Sequence, residues 1–212
     1  SVYTGGCNLK CPYCHSKDLV YLKENMYPIV TEKINEFLES HRKDLDGIYI
    51  SGGEPLMHEG VVSFLQYAKT LNYKIKIHTN GMFYERLKTI LAQKLVDHVS
   101  LDIKNAPSAY AKTCGVEDMD LKDIEKSLDL LKQSVVPYDI CVTLVDELHN
   151  QETIEELGEW LQGVDTVILQ PFEDSETTID HSLHRPSFEV VLKYKNIFEK
   201  YVKHVKIRGD QA

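Results

Sequence analysis

Residues 47–55 read Gly-Ile-Tyr-Ile-Ser-Gly-Gly-Glu-Pro, a short apolar run that stops at two glycines. Its length and its isoleucines predict a strand, and the glycines predict the turn that ends it. Similar segments recur along the chain, each followed by apolar residues at helical spacing. We predict strands at residues 1–4, 47–51, 74–78, 98–104, 138–145 and 166–172, with a closing strand in 202–207. We predict helices at residues 31–42 (with Thr31 as N-cap), 61–71, 84–95, 121–133, 152–161 and 188–201.

Six repeats of a strand followed by a helix predict an α/β fold with a parallel sheet and right-handed crossovers. A complete eight-fold TIM barrel takes about 250 residues, which is more than the 212 of this chain. The count fits a single open (β/α)6 partial TIM-type barrel, with a doubly wound flat sheet as the alternative. No linker divides the sequence, so we expect one domain over residues 1–212. Because residue 1 already lies in a predicted strand, we expect a short native N-terminal segment to be missing.

The composition argues against several classes of protein. Acidic residues number 33 against 24 basic ones, which gives a formal net charge of −9. Such a surface repels phosphate backbones, so we expect no nucleic-acid partner. No apolar run reaches the roughly 20 residues that cross a bilayer, and no signal-peptide pattern is present. We therefore expect a cytoplasmic protein with no membrane partner.

Three of the five cysteines lie within eight residues, in the loop Gly5-Gly-Cys-Asn-Leu-Lys-Cys-Pro-Tyr-Cys-His15. An odd number of cysteines in such a tight group favours a metal centre over a disulfide framework. Cys7, Cys11 and Cys14 are able to ligate three irons of a four-iron cluster, which leaves one iron open to an outside ligand. The loop therefore predicts an iron–sulfur cluster.

A structural zinc site is the alternative interpretation of the same loop. Zinc needs four ligands, and His15 directly follows Cys14, which is an awkward spacing for two ligands on one ion. We expect Cys114 and Cys141 to be small buried residues rather than ligands. We expect the isolated histidines to lie on the surface: His41, His58, His98, His149, His181, His184 and His204.

Polar residues and glycines follow the ends of several predicted strands, where barrels of this kind build their sites. They comprise the cysteine loop, Ser51-Gly-Gly-Glu-Pro55, His78-Thr-Asn-Gly81, Asp102, Lys104 and Gln170. Asp102 and Lys104 fall on one face of their predicted strand, because side chains alternate along a strand. A surface ion pair is the alternative for these two residues.

The Cys-x3-Cys-x2-Cys spacing after a strand, with Tyr13 before the last cysteine, resembles the signature of the radical S-adenosylmethionine superfamily. The resemblance implies a 4Fe–4S cluster on Cys7, Cys11 and Cys14, which are then both metal ligands and catalytic residues. It implies that S-adenosylmethionine chelates the open iron and is cleaved to methionine and a 5′-deoxyadenosyl radical.

The resemblance also assigns residues to the cofactor. It implies that the Gly-Gly-Glu-Pro segment recognises the methionyl amine, that Lys104 meets the carboxylate, and that Tyr13 packs beside the adenine. The residues that we predict to contact S-adenosylmethionine are Tyr13, Gly52, Gly53, Glu54, Pro55, Thr79, Asn80, Asp102, Lys104, Thr143 and Gln170.

The similarity narrows to the glycyl-radical enzyme activating proteins, most of all to that of anaerobic ribonucleoside-triphosphate reductase. It is carried by residues 4–15, by Ile168-Leu-Gln-Pro-Phe172 and by Val205-Lys-Ile-Arg-Gly209. It implies that the enzyme installs a glycyl radical on a partner protein. It also implies a low-potential electron donor such as flavodoxin or ferredoxin.

The chain departs from the pyruvate formate-lyase type of activating enzyme at two positions. That type has an aspartate where His78 stands, and the aspartate helps to hold a monovalent cation, so the cation site is not carried over. It also has a histidine where Glu173 stands. A formate-lyase partner, a small-molecule enzyme such as a 7-carboxy-7-deazaguanine synthase, and a non-enzymatic metal scaffold remain alternatives.

Overall fold

The computed structural model describes residues 1–23 and 26–209. The strands are β1 (Val2–Thr4), β2 (Gly47–Gly52), β3 (Lys74–Thr79), β4 (His98–Asp102), β5 (Tyr138–Leu144), β6 (Thr166–Pro171) and β7 (His204–Ile207). The helices are α1 (Lys17–Val20), α2 (Thr31–Ser40), α3 (Val61–Thr70), α4 (Tyr84–Ala92), α5 (Tyr110–Thr113), α6 (Lys122–Lys132), α7 (Gln151–Trp160) and α8 (Phe188–Phe198). No helix within the described ranges is both long enough and apolar enough to cross a membrane.

The order of the strands in the sheet separates the two predicted architectures. A doubly wound sheet reverses its strand order at a switch point. Here the order follows the chain without reversal from β1 to β7. Each of the first six strands is followed by helical structure, and β7 comes last, as the predicted closing strand. The α/β fold with six strand–helix repeats is therefore confirmed.

Contacts within the chain group its residues into two compact units. Unit 1 comprises Ser1–Asn8, Asp18–Ser100 and Asp123–Pro137. Unit 2 comprises Leu9–Lys17, Leu101–Lys122 and the chain from Tyr138 onward. The single domain expected over residues 1–212 stays a prediction.

Unit 1 is built on β1, β2 and β3, which pair in parallel. Alternate side chains of the strands are buried, including Ile50 on β2 and both Ile75 and Ile77 on β3. Helices α3 and α4 bury Leu65 and Leu87. Each such side chain contributes roughly 1.5–3 kcal/mol when it leaves water, so these alternating positions hold the strands in register.

Unit 2 is built on β5, β6 and β7, which also pair in parallel. Val142 and Leu169 are fully buried on neighbouring strands, and α8 contacts both β6 and β7. The opposite face of the same strands carries Thr143 directly beside Gln170. Both of these side chains are half-buried, so this face carries a pair of polar side chains near the ends of β5 and β6.

Three local features differ from the sequence predictions. Helix α2 begins at Thr31, so the N-cap is Val30, and it has no side-chain cap bond. Strand β4 ends at Asp102, two residues before the predicted end. The short helices α1 and α5 were not predicted, because four residues are too few to show a helical period.

One carboxylate, that of Asp97, joins α3 to the start of β3 in unit 1. It accepts hydrogen bonds from the backbone N–H of Ile75 at 2.8 Å and from Lys74 at 3.2 Å, and it pairs with Lys69. Burial raises the pKa of Asp97, but the hydrogen bonds from Lys69, Ile75 and Lys74 outweigh it. The pKa of Asp97 therefore lies below its ordinary value.

Replacing Asp97 with Asn should lower the free energy of unfolding by on the order of 1 kcal/mol near neutral pH. A carboxyl group whose pKa falls on folding stabilises the fold above its ordinary pKa, and that contribution is lost as the pH decreases. The difference from wild type should therefore shrink below about pH 4. Urea unfolding at neutral and acidic pH measures the difference in the free energy of unfolding. Asp44→Asn, at an exposed position, is the control. A difference that grows on acidification would contradict this account.

Candidate functional site

The loop that carries Cys11 and Cys14 is fixed by backbone hydrogen bonds within unit 2. The N–H of Ile179 donates to the carbonyl oxygen of Cys14 at 3.0 Å. The N–H of Asp180 donates to the carbonyl oxygen of Pro12 at 2.9 Å. The loop is thus held by a segment from a distant part of the sequence.

Cys11 is 6% exposed, and its thiol is strongly perturbed by its surroundings. A hydrogen bond with Cys114 lowers the pKa of Cys11, burial raises it, and the charge of Lys104 lowers it, which brings the pKa to about 7. Burial raises the pKa of Cys14. The thiolate is the form of cysteine that binds metal, so Cys11 is prepared for that role near neutral pH.

Lys104 and Asp102, which the sequence placed on one face of a predicted strand, form an ion pair. The Lys104 side chain is only 12% exposed, and its Nζ lies 2.7 Å from Oδ2 of Asp102. Burial lowers the pKa of Lys104, but the charge of Asp102 raises it further, and the result is well above the ordinary value. Lys104 is therefore a permanent cation, and its ammonium carries N–H groups beyond the one that Asp102 accepts.

His149 was expected on the surface, and that expectation is wrong, because its side chain is 3% exposed. Its Nε2 donates to the carbonyl oxygen of Lys104 at 3.0 Å, and its Nδ1 accepts from the N–H of Val145 at 3.1 Å. Burial lowers the pKa of His149, which keeps the ring neutral. A neutral ring can donate and accept at once, so it joins the chain after β4 to the chain after β5.

Asn105 is a second buried polar residue that the sequence did not reveal. It is fully buried, and its Nδ2 donates to Oγ1 of Thr113 at 3.0 Å and to the carbonyl oxygen of Leu148 at 2.7 Å. Its Oδ1 accepts from the N–H of Ala106 at 2.8 Å. Because Asn105 directly follows Lys104, these bonds fix the backbone that carries the cation.

The two glycines of the Gly-Gly-Glu-Pro segment lie so close to other backbone atoms of unit 1 that neither position has room for a side chain. A Cβ on Gly53 would lie 1.8 Å from the carbonyl oxygen of Gly6, and a Cβ on Gly52 would lie 2.4 Å from the backbone of Thr4. The N–H of Gly53 donates to Thr4 at 2.8 Å, and that of Glu54 donates to Gly6 at 2.9 Å. The end of β2 therefore lies directly against the backbone that leads to Cys7.

Glu54 joins the two polar segments that follow β2 and β3. Its side chain is 1% exposed, and its carboxylate accepts from the N–H of Leu56 at 2.9 Å, from Oγ1 of Thr79 at 2.7 Å and from the N–H of Asn80 at 2.7 Å. Pro55 is buried beside it as the first residue of a 3-10 turn. The contacts of Glu54 and Thr79 are thus internal to the protein, and their predicted contact with a cofactor stays a prediction.

Two further side chains hold the segment around Cys7. Nδ2 of Asn80 donates to Oδ1 of Asn8, the residue after Cys7, at 2.8 Å. Nε2 of His58 donates to the carbonyl oxygen of Gly5 at 2.8 Å. The sequence placed Asn80 at the site but gave His58 no role, because a single histidine in a polar segment carries no pattern.

The predicted residues of β5 and β6 lie together in unit 2. Thr143 and Gln170 are partners in the strand register, and Oε1 of Gln170 accepts from Arg208 at 2.7 Å. Tyr13, predicted to contact an adenine, is 5% exposed, so a nucleobase could reach little of its ring. The described residues contain no group of three His, Cys, Asp or Glu side chains arranged for a single metal ion.

A family model for the radical SAM superfamily matches residues 1–162. The chain belongs to the radical SAM superfamily. The structure of SuiB from Streptococcus suis bound to S-adenosylmethionine has a similar fold, with a TM-score of 0.75 and 17% identity over 98% of this chain and 49% of SuiB. Such superfamily enzymes share a partial TIM-type barrel, so the predicted fold class is confirmed.

Relatives extend along most of the chain. A protein of Methanocaldococcus jannaschii, named as a glycyl-radical enzyme activating enzyme, is 30% identical over 98% of this chain and 87% of its own length. The pyruvate formate-lyase-activating enzyme of Clostridium pasteurianum is 27% identical over 96% of this chain and 90% of its own length. A GTP 3′,8-cyclase of Alkaliphilus oremlandii is 25% identical over 71% of this chain and 48% of its own length.

The family establishes the chemistry at a coarse level. Radical SAM enzymes use a 4Fe–4S cluster and S-adenosylmethionine, so both predicted cofactors and the enzymatic class are confirmed. The three thiols expected to bind the cluster, Cys7, Cys11 and Cys14, are free of disulfide bonds. That donor set fits a cluster with one open iron. The assignment of individual residues to the cofactors stays a prediction.

Replacing Glu54 with Gln should destabilise the fold by roughly 1–3 kcal/mol, because the amide nitrogen cannot accept the hydrogen bonds that converge on the carboxylate. Chemical denaturation of the metal-free protein measures the change without any contribution from cofactors. Glu59→Gln, at an exposed position five residues later, is the control. Equal stability of the two variants would show that the three bonds to Glu54 contribute little.

Proposed function

We propose that this chain is a glycyl-radical enzyme activating enzyme. The observation that carries the proposal is the similarity to an archaeal protein of that name along nearly the whole of both chains. The proposed reaction removes one hydrogen atom from the Cα of a glycine in a partner protein. Anaerobic ribonucleoside-triphosphate reductase is the first candidate partner, and pyruvate formate-lyase is the second.

Cys7, Cys11 and Cys14 are the proposed ligands of the 4Fe–4S cluster. When bound, the cluster and S-adenosylmethionine together supply a 5′-deoxyadenosyl radical by reductive cleavage of a carbon–sulfur bond. The chain contributes thiolates, and two features support that role for Cys11. A hydrogen bond with Cys114 lowers its pKa, and the nearby charge of Lys104 lowers it further.

Lys104 is the proposed partner of the carboxylate of S-adenosylmethionine. Its ammonium is largely buried and stays charged beside Asp102. His149 donates to its backbone carbonyl oxygen, and the next residue, Asn105, donates to the carbonyl oxygen of Leu148. A charged donor that is fixed in position binds an anion more strongly than a mobile one, because less side-chain entropy is lost. The other proposed cofactor contacts are Tyr13, Gly52, Gly53, Glu54, Pro55, Thr79, Asn80, Asp102, Thr143 and Gln170.

The proposed electron source is a low-potential protein such as flavodoxin or ferredoxin in an anaerobic cytoplasm. Reductive cleavage of a sulfonium would need an electron donor of low potential, and the protein around a bound cluster would tune the cluster's own potential. The similarity to a GTP 3′,8-cyclase supports a second candidate function, in which the radical acts on a nucleotide instead of a protein.

Reduced enzyme with S-adenosylmethionine should transfer its radical to a glycyl-radical partner under anaerobic conditions. The expected product is a persistent doublet in electron paramagnetic resonance, because a glycyl radical keeps one α-hydrogen. Release of 5′-deoxyadenosine should rise when the partner is added. Both the reductase and the formate-lyase type of partner should be tried, since His78 and Glu173 leave that choice open.

Three controls separate the outcomes of this experiment. A partner with its radical glycine replaced by Ala should give no doublet. Cys7→Ala should bind little iron and release no 5′-deoxyadenosine, whereas Cys141→Ala should keep about four irons per chain. If GTP accelerates cleavage and neither protein partner gains a radical, the activating function is wrong and the cyclase candidate takes its place.

Replacing Lys104 with Met should weaken the binding of S-adenosylmethionine by roughly 1.5–3 kcal/mol, the contribution of a charge-assisted contact. The iron content should stay near that of wild type, because no proposed iron ligand is changed. Equilibrium binding to the cluster-loaded enzyme measures the loss, and Lys112→Met, an exposed lysine on α5, is the control. Equal affinity in the two variants would exclude Lys104 from the cofactor site.

A further inference from the structure

Arg208 directly follows β7 in unit 2, and the hydrogen bonding of the sheet continues to it. Its N–H donates to the carbonyl oxygen of Leu169 at 2.8 Å, which places Arg208 beside Gln170 at the end of β6. The exposed guanidinium makes two contacts. Its Nη1 donates to Oε1 of Gln170 at 2.7 Å, and its Nη2 lies 3.9 Å from the sulfur of Cys141 on β5. The arginine is therefore held across three neighbouring strands.

The partner of Arg208 is a neutral amide. In the same unit, Arg185 pairs with the carboxylate of Glu173 at 2.6 Å, and the chain as a whole is acidic, with a net charge of −9. A glutamate at position 170 would give Arg208 a charge-assisted pair, which is the stronger kind of contact. The glutamine that stands there makes the weaker contact and has an NH2 group that a glutamate lacks.

The chemistry of the pair fixes the orientation of the Gln170 side chain. A guanidinium has N–H donors and no acceptor, so the oxygen is the end of the amide that faces Arg208. The other end is then Nε2, which carries two N–H donors and no acceptor. Within the described ranges, no group accepts a hydrogen bond from Nε2. Half-buried at the end of β6, Gln170 thus has its donors available to a ligand.

We propose that Arg208 is a positioning residue, which fixes the amide of Gln170 so that its NH2 group donates to an uncharged acceptor atom of bound S-adenosylmethionine. The charged carboxylate of the cofactor is the proposed partner of Lys104, whereas a neutral amide suits a neutral acceptor. The inference rests on the cofactor contact proposed for Gln170. It does not depend on which partner receives the radical.

A fixed amide differs from a mobile one in two respects. Glutamine is among the side chains that lose most rotamer freedom when they are ordered, and the contact with Arg208 orders Gln170 before a ligand binds. A reversed amide would also turn its oxygen toward the ligand, so that one acceptor would face another. Arg208 excludes that orientation, because its guanidinium cannot accept from Nε2.

The test measures the equilibrium affinity of the cluster-loaded enzyme for S-adenosylmethionine, and the iron content, in five variants. Gln170→Met removes both ends of the amide. Gln170→Glu keeps the contact with Arg208 as an ion pair but has no donor. Arg208→Met leaves the amide free to turn, whereas Arg208→Lys keeps a donor to its oxygen. Arg185→Met, which breaks a surface ion pair in the same unit, is the control.

Gln170→Met and Gln170→Glu should both weaken binding by roughly 2–12-fold, the contribution of one hydrogen bond. The result for Gln170→Glu is decisive, because its carboxylate keeps the contact with Arg208 and the cofactor, a net cation, is not repelled by it. Arg208→Met should weaken binding within the same range, and Arg208→Lys should bind more tightly than Arg208→Met. Arg185→Met should bind like wild type, and the iron content should stay constant throughout.

The contrary outcomes separate this inference from the proposed function. Wild-type affinity in Gln170→Glu would overturn the donor role, and wild-type affinity in Arg208→Met would overturn the positioning role. Equal losses in Arg208→Met and Arg208→Lys, a similar loss in Arg185→Met, or lower iron content would also overturn it. If Gln170→Met binds like wild type, the proposed cofactor contact of Gln170 fails too. The radical assay with the wild-type enzyme tests the activating function independently of all these results.

Discussion

The carbonyl oxygen of Gly6 lies in the space that a Cβ on Gly53 would fill. This close approach places the end of β2 against the backbone that leads to Cys7, and two backbone hydrogen bonds hold it there. Glu54, the next residue, then reaches to the chain after β3. The order of the segments around Cys7 therefore depends on one position where no side chain is tolerated.

In unit 2 a comparable constraint is electrostatic. Lys104 and Asp102 form an ion pair that is largely buried. The thiols of Cys11 and Cys14 lie near this pair and are able to become thiolates. A buried charge is costly unless it is compensated. The cation balances the acidic group and the thiolate of Cys11, which explains how one loop of this unit can hold several ionisable groups close together.

Much of this arrangement could be predicted from the sequence. Short apolar runs that stop at Gly or a polar residue indicate the strands, and six repeats of strand and helix indicate a parallel sheet. The repeats did not decide between a barrel and a doubly wound order, which the pairing of the strands in the structure settles. The cysteine spacing and the Gly-Gly-Glu-Pro segment identify the family. The reason for the two glycines was not visible, because it is a contact with Thr4 and Gly6, far away in the sequence. His149 and Asn105 were missed because a single buried polar residue has no period and no neighbouring motif, whereas the burial of Cys114 and Cys141 was predicted correctly.

His149 has a consequence for the range of conditions in which the enzyme keeps its shape. Its ring is neutral because burial makes the imidazolium form unfavourable. A histidine whose pKa falls on folding contributes no pH dependence above its ordinary value of about 6.5, and it opposes folding only as acid protonates the unfolded chain. The backbone of Lys104 is consequently insulated from small changes in acidity near neutrality.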